Sequence, residues 1–374
     1  VSFKNAKIVA VNANPVAYHN TEIPRGDARF QMSSSGIRAF AVNPSKWREP
    51  IVDEEGKISY FEHAGSKSTE WGNLFDTLLL TPQQFDARYA VSPAKYETEV
   101  LVCPSCASIS TAKKCKECNT FRVVEKVLKD WSPTTTHCKE WKAEKEKEGL
   151  ECVKASDIFK IKQAIARFNR DPILPRFVEA SQKQVWIVAE WHDEETGLVI
   201  PCKCLIDLVL KVGTEFEKCV GDVKTARTAQ IGAWESWCLS AGYEIQAAWN
   251  TDMLVAATNR EIITFCFLLS ENTAPYEPGR RIMSQDIADP SQDMGAIASG
   301  RRQYRKMMAY YCKCLKTGTW PGYDDHADAA QGWTLVTPNP YKEMARDAAP
   351  KPVFEGEEPD PDAEPEADDF DTPP

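Results

Sequence analysis

Between Val185 and Thr225 the pattern of the chain is that of strands, in short, largely apolar segments separated by turn-rich tracts. The segment Val185 to Trp191 is followed by the turn-rich Asp193 to Gly197 and then by the run Leu198 to Leu210, and Gly213 to Lys218 separates that run from Cys219 to Thr225. Connections this short predict three strands in an antiparallel meander. The third strand leads into a predicted helix, Ala226 to Ser240, and a second one begins near Tyr243. Elsewhere the period is helical. Ile158, Ile161, Ile165 and Phe168 share one face of a predicted helix from Ser156 to Asn169, with Ser156 and Asp157 as caps. Leu74, Leu78 and Trp71 do the same from Thr69 to Leu80, before Pro82, and Asp76 lies among them, either tilted to solvent or held for a purpose. Met32 to Pro44 reads as a short serine-capped helix. Its start, Ser33 to Ser35, offers hydroxyls and free amides as an anion seat, although an ordinary capped helix accounts for the same residues. Lys139 to Lys147 is a charged helical stretch, read as a solvated face.

Residues 99 to 122 break this patterning with Cys103-Pro-Ser-Cys106 and Cys115-Lys-Glu-Cys118. Two C-x-x-C knuckles can place four thiolates tetrahedrally around Zn²⁺, which predicts a zinc-ribbon-like insert; unliganded surface cysteines and an iron-sulfur site are the alternatives. A closed four-cysteine site has no position open to substrate, so its expected role is structural.

Composition adds limits. The chain has 374 residues, 43% of them hydrophobic, and no apolar run approaches the roughly 20 residues that cross a bilayer. Its N-terminal segment lacks the order of a secretory signal, so the expected location is the cytoplasm, with thirteen cysteines reduced or on metal. The net charge of −10 would argue against nucleic acid, except that ten acidic residues against one lysine lie between Lys351 and Asp371. The body is therefore nearly neutral and can carry basic patches. The tail itself is expected to be disordered, because proline alternating with acids buries too little apolar area to offset chain entropy.

The candidate chemistry lies on the meander. Asp222 and Lys224 are two residues apart, so on a strand both project to one face; Asp207 lies on the neighbouring strand and Glu190 on the one before it. Carboxylate oxygens are what Mg²⁺ or Mn²⁺ requires, and a lysine beside the metal can orient or help deprotonate an attacking water. Asp207 follows Leu205 and Ile206, and Lys224 follows Val223. Charges placed among such residues are costly unless paired with each other or with a metal.

The order Ile206-Asp207, then Asp222-Val-Lys224-Thr, then Tyr243-Glu-Ile-Gln246 resembles the core of RecB-type PD-(D/E)xK nucleases. More particularly it resembles the RecE-type exonucleases, the exodeoxyribonuclease VIII-like family of phages and prophages. The resemblance runs over roughly residues 17 to 325 and takes in Tyr18-His19, Met32 to Ile37, Trp71 to Pro82, Glu190, Asp193 to Gly197, Asn272 to Tyr276 and Cys314 to Tyr323. Two positions depart from it. Asp76 stands where the family usually has a histidine that reaches the metal, and Asn250 stands where it usually has a tyrosine.

The resemblance implies an α/β (α+β) fold, a restriction-endonuclease-like core with a mixed sheet flanked by helices. The expected divisions are 1–98 and 123–348 for the nuclease domain, 99–122 for the insert and 349–374 for the tail. It implies an Mg²⁺-dependent exonuclease that degrades linear double-stranded DNA from the 5′ end and leaves 3′ overhangs for a RecT-like single-strand annealing protein. A ring-shaped homo-oligomer around DNA is expected, with no membrane. Asp207, Asp222, Lys224, Glu190 and Gln246 would be catalytic, Asp76, Asp207 and Asp222 would hold Mg²⁺ or Mn²⁺, and Ser33 and Ser35 would receive the 5′-phosphate. Lys113, Lys114, Lys116, Arg301, Arg302, Arg305 and Lys306 are candidate phosphate contacts, each also readable as solvated surface. Two other classes stay open: a catalytically silent DNA-end-binding or scaffold protein that keeps the fold, and an adaptor whose main function is the cysteine ribbon.

Overall fold

The computed structural model describes residues 3–19, 23–52, 54, 56, 58–60, 67–284 and 295–322. The acidic tail lies outside the described residues. In chain order the elements begin with strand β1 (Phe3–Ala10) and helices α1 (Pro15–His19), α2 (Ser34–Val42) and α3 (Pro44–Arg48). After the small hairpin β2 (Pro50–Val52) and β3 (Ile58–Tyr60) come α4 (Lys67–Leu80), α5 (Phe85–Arg88), β4 (Tyr89–Ser92), β5 (Lys95–Val102) and β6 (Val123–Asp130). Next are α6 (Thr136–Lys147), β7 (Glu151–Lys154), α7 (Ala155–Phe168) and α8 (Leu174–Glu179). The chain continues through β8 (Ser181–His192), β9 (Val199–Leu210), β10 (Cys219–Ala226), α9 (Ile231–Ser240), α10 (Tyr243–Thr258), β11 (Thr264–Glu271), β12 (Pro278–Ser284) and α11 (Ala296–Thr317).

The main sheet has the order β1-β8-β9-β10-β11-β12. The expected meander is there: β8 and β9 are antiparallel, as are β9 and β10. The sheet is mixed because β10 and β11 run parallel, with α9 and α10 forming the crossover that a parallel pair requires. Helices cover both faces. One core packs Ile37, Phe40, Trp234, Trp249 and Met308 from α2, α9, α10 and α11 against the sheet. The other packs Phe75, Ile161, Phe168 and Phe177 from α4, α7 and α8 against Leu208, Val223 and Leu268. Cover on both sides leaves no exposed residue in the central strand β10, although Asp222, Lys224 and Thr225 lie within it.

Two helix starts differ from the sequence reading. The helix expected from Ala226 starts at Ile231, because β10 extends to Ala226 and the amide of Ala229 is held by the Glu271 carboxylate at 2.8 Å. The Ile158 helix starts at Ala155 with no side-chain cap, so Ser156 and Asp157 are not its caps. Helix α2, by contrast, is capped as expected: Ser33 accepts from the Gly36 amide at 3.1 Å.

The cysteine segment closes the tip of the hairpin β5–β6. Its two knuckles repeat one geometry. The amides of Ala107 and Asn119 donate to the carbonyls of Cys103 and Cys115 at 2.8 and 3.0 Å, and both residues take a left-handed φ, 57° and 54°. Among the described residues no helix is long and apolar enough to cross a membrane.

Candidate active site

Strand β10 turns Asp222 and Lys224 to one side, where α10 crosses. Gln246 on α10 donates from Nε2 to Asp222 Oδ1 at 2.8 Å. Lys224 Nζ lies 2.6 Å from Asp222 Oδ2 as an ion pair, outside hydrogen-bond alignment. Asp207 on β9 accepts from the Val223 amide at 2.9 Å and from Gln184 Nε2 at 3.0 Å. Asp76 comes in on α4. All of these side chains except Val223 line one cavity of about 480 Å³, together with Ser35 and Arg38 of α2 and Tyr243 of α10. The cavity also takes in Tyr18 and His19 of α1. That short helix is held on the sheet by the buried Lys203, whose ammonium donates to the Tyr18 carbonyl at 2.6 Å.

Charge here is crowded. Burial and then the Asp222 charge push the Asp207 carboxyl up to about 7, against the pull of Lys224. Burial, then the charges of Asp207 and Asp222, push Asp76 well above the usual carboxylate range, with Lys224 and Arg88 acting the other way. Burial alone would pull Lys224 down, but Asp222, Tyr243 and Asp207 outweigh it and raise it, so the side chain keeps its proton at neutral pH. The Tyr243 ring lies under two cations, with Lys224 Nζ 5.0 Å and the Arg38 guanidinium carbon 5.9 Å from its centroid.

The fit to a hard divalent cation has two sides. In favour, Asp76 Oδ1 and Gln184 Oε1 are buried oxygens with no hydrogen-bond donor, Asp222 Oδ2 is met by the Lys224 ammonium alone, and a cation would relieve the carboxylate repulsion. Against it stands spacing: among the described residues only Cys103, Cys106, Cys115 and Cys118 bring three or more ligand atoms within 4.8 Å of one another. The donor type and charge suit Mg²⁺ or Mn²⁺, while the three carboxylates stand wider than a closed coordination sphere. The cysteines suit a structural, zinc-like metal. Backbone amides of Cys118 and Glu117, with the Ser108 hydroxyl, hold the Cys115 thiol down to about 6, which favours the thiolate a metal needs.

Glu190 is not brought to this group. It sits toward the far end of β8, accepts from Asn5 of β1 at 2.7 Å and contacts His192 at 3.1 Å. The β8 residue at the site is Gln184, flanked by the pairs Lys183↔Leu208 and Val185↔Ile206 and held at a φ of 47°. Ser35 lines the cavity, whereas Ser33 is engaged as the cap of α2 and lies 3.1 Å from the Ser35 hydroxyl. Arg301 is paired with Asp252 through two contacts of 2.8 and 2.6 Å, which removes it from the candidate phosphate contacts. Arg305 and Lys306 are exposed on α11. Gln184, Arg38, Arg88 and Tyr243 are site residues that the sequence reading did not select. For Arg38 the only signal was its place one turn into the serine-capped helix.

Residues 124–332 match the family described as a PDDEXK-like domain of unknown function (DUF3799). That span is more than half of the chain, and the chain belongs to this family, a distant branch of the PD-(D/E)xK-like nuclease superfamily. No curated protein sequence matches it. Among solved structures, the "putative exonuclease" of Eubacterium rectale aligns over 90% of this chain and 100% of its own, with 14% identity and a TM-score of 0.45. Rai1 of Scheffersomyces stipitis, solved with (3′-NADP)⁺ and calcium, aligns over 64% of this chain and 58% of its own, with 8% identity and a TM-score of 0.23.

Proposed function

We propose that the chain is a metal-dependent exonuclease that hydrolyses phosphodiester bonds of linear double-stranded DNA, from 5′ to 3′, and leaves 3′ overhangs. The observation that carries this reading is the convergence of Asp76, Asp207, Asp222, Lys224 and Gln246, drawn from four separate elements, on one cavity. Buried charges are costly, and their gathering in a concave site marks a place where charge is used. A divalent cation held by Asp76, Asp207 and Asp222 would supply Lewis-acid charge and lower the pKa of a bound water. Gln246 fixes the rotamer of Asp222, and Gln184 that of Asp207. Lys224, which stays an ammonium, orients the attacking water and offsets charge on the phosphate; it does not accept the water's proton. Ser35 and Arg38, on the α2 side of the cavity, form the seat proposed for the 5′-phosphate. The 5′ polarity, a ring-shaped homo-oligomer and a single-strand annealing partner belong to the same reading and rest on the RecE-type resemblance.

The wide spacing of the three carboxylates favours a second reading, a DNA-end-binding protein that does not cut. Purified protein incubated with linear duplex labelled at either end, with Mg²⁺ or with EDTA, decides between them. Mg²⁺-dependent shortening from the 5′ end, with a circular duplex left intact, is the expected result. Binding without any shortening would overturn the nuclease reading.

A further inference from the structure

Phe121 is 70% exposed at the tip of the cysteine ribbon, and Ile109, its counterpart in the first knuckle, is 59% exposed. The bridges Val102↔Ile109 and Lys114↔Phe121 put these two residues at equivalent places, twelve positions apart in the chain. Both knuckles thus end in an uncovered apolar side chain. Lys114, bridged to Phe121, has its Nζ 5.6 Å from the centre of the Phe121 ring, and Lys113 and Lys116 belong to the same knuckle; all three lysines are exposed and in no ion pair among the described residues. Arg122 serves the fold instead, donating from its guanidinium to the Ser108 carbonyl and so joining the two knuckles.

We propose that this tip is a second nucleic-acid contact, with Phe121 stacking on an unpaired base and Lys113, Lys114 and Lys116 holding the flanking phosphates. The chemistry argues for single-stranded DNA. A ring standing free at a surface can stack only on a base that is not already stacked in a duplex, and every base has a face to offer. Lysines without carboxylate partners complement a phosphate backbone. The proposal goes beyond the nuclease reading and does not need it. A chain that binds at the tip but cuts nothing would leave this site standing while that reading fell.

The test uses the full-length protein and a fluorescent oligo(dT) of about 12 nucleotides, in buffer without divalent cation or chelator, so that nothing is cut and the ribbon keeps its metal. Anisotropy should show Phe121→Ala binding at least about fivefold more weakly, with Phe121→Trp restoring affinity. The triple change Lys113→Gln, Lys114→Gln and Lys116→Gln should lower the slope of log affinity against log salt by about 2, since each single-strand phosphate contact contributes about 0.7. An oligonucleotide carrying 5-iododeoxyuridine should photo-cross-link to the peptide that contains Phe121. Unchanged metal content in each variant shows that the ribbon is intact. Wild-type affinity in Phe121→Ala, with no cross-link at the tip, would overturn the proposal. So would a change in sedimentation without a change in oligonucleotide binding, which would make the tip a contact between copies of the chain.

Discussion

Gln246 Nε2 lies 2.8 Å from Asp222 Oδ1, and this bond ties α10 to the strand that carries the Asp-x-Lys pair. The other Asp222 oxygen faces Lys224 at 2.6 Å, so one carboxylate is steered from two sides. Asp222→Ala and Lys224→Ala are each expected to lower Mg²⁺-dependent cleavage by about 10²-fold or more while leaving DNA binding largely in place. Gln246→Ala, which frees the rotamer without removing charge, should cost less than either. Asp222→Ala also leaves a half-buried ammonium unpaired, so each variant needs a melting curve beside its rate. Wild-type rates in folded Asp222→Ala protein would sink the assignment.

Asp207 makes the site costly to the fold. An unfolded aspartate loses its proton near 4, whereas burial and the Asp222 charge hold Asp207 up to about 7 in the folded chain. Between those values the unfolded form binds fewer protons, so the stability this residue contributes is present below about 4 and is lost as pH rises toward 7. Asp207→Asn should therefore melt higher than the wild type at pH 8 without divalent metal, by about 2–8 °C. Its amide can take the Val223 N–H on oxygen and donate to Gln184, whose Oε1 has no partner. The gain should shrink toward pH 5, and cleavage should be lost. An equal melting temperature at both pH values would count against a strained carboxylate.

The meander was legible because three short, largely apolar segments joined by short turn-rich tracts leave few other pairings, and Asp222 and Lys224 share a face because side chains two residues apart on a strand point the same way. It misplaced Glu190 because lying on the right strand does not say at which end. Six residues separate Glu190 from Gln184, roughly 20 Å along a strand. Gln184 gave no signal, being a neutral amide whose φ of 47° only the backbone reveals. Arg38, Arg88 and Tyr243 reach the cavity from helices whose docking a single sequence does not specify. Strand β1 was hidden too: its burial pattern is mostly exposed, and its partner β8 lies far along the chain.

The two knuckles make a metal prediction that does not depend on catalysis. Protein purified without chelator should hold one zinc per chain and be colourless, which excludes iron-sulfur. Changing Cys103, Cys106, Cys115 and Cys118 to serine should remove the zinc and open residues 103–122 to protease, while the rest of the chain keeps its melting transition. Freshly purified wild-type protein without zinc would end the idea.

Ser33 and Ser35 can be separated by experiment because their partners differ. Ser35 lines the cavity and Ser33 caps α2. If the seat takes the 5′-phosphate, 5′-phosphorylated duplex should be digested faster than 5′-hydroxyl duplex, and Ser35→Ala should narrow the gap. Ser33→Ala should instead cost about 1 kcal/mol of stability through the lost cap. An unchanged ratio of the two substrates in Ser35→Ala would count against the seat.

Gly300 gives a prediction about the site from outside it. A Cβ built on this residue of α11 would overlap the Glu244 carbonyl oxygen and carbon and lie 2.9 Å from the Ile245 nitrogen. All three atoms are backbone, so no rotamer change can relieve the contact, and Gly300→Ala must push α11 away from the first turn of α10. That turn carries Tyr243 and Gln246. The nearby links from Arg301 to Asp252 and from Gln303 to Glu244 would be strained together with it. The substitution should cost about 3 kcal/mol or more by overpacking, and it should lower cleavage at temperatures where the protein is still folded, because Gln246 no longer holds Asp222. Gly232→Ala in α9 is the matched control. Nothing lies within 4 Å of its built Cβ, and alanine favours a helix over glycine by about 1 kcal/mol, so it should be neutral or slightly stabilising. Equal melting temperatures for the two variants would mean that α11 and α10 are not packed backbone to backbone, and that the position of Gln246 is set by something other than this contact.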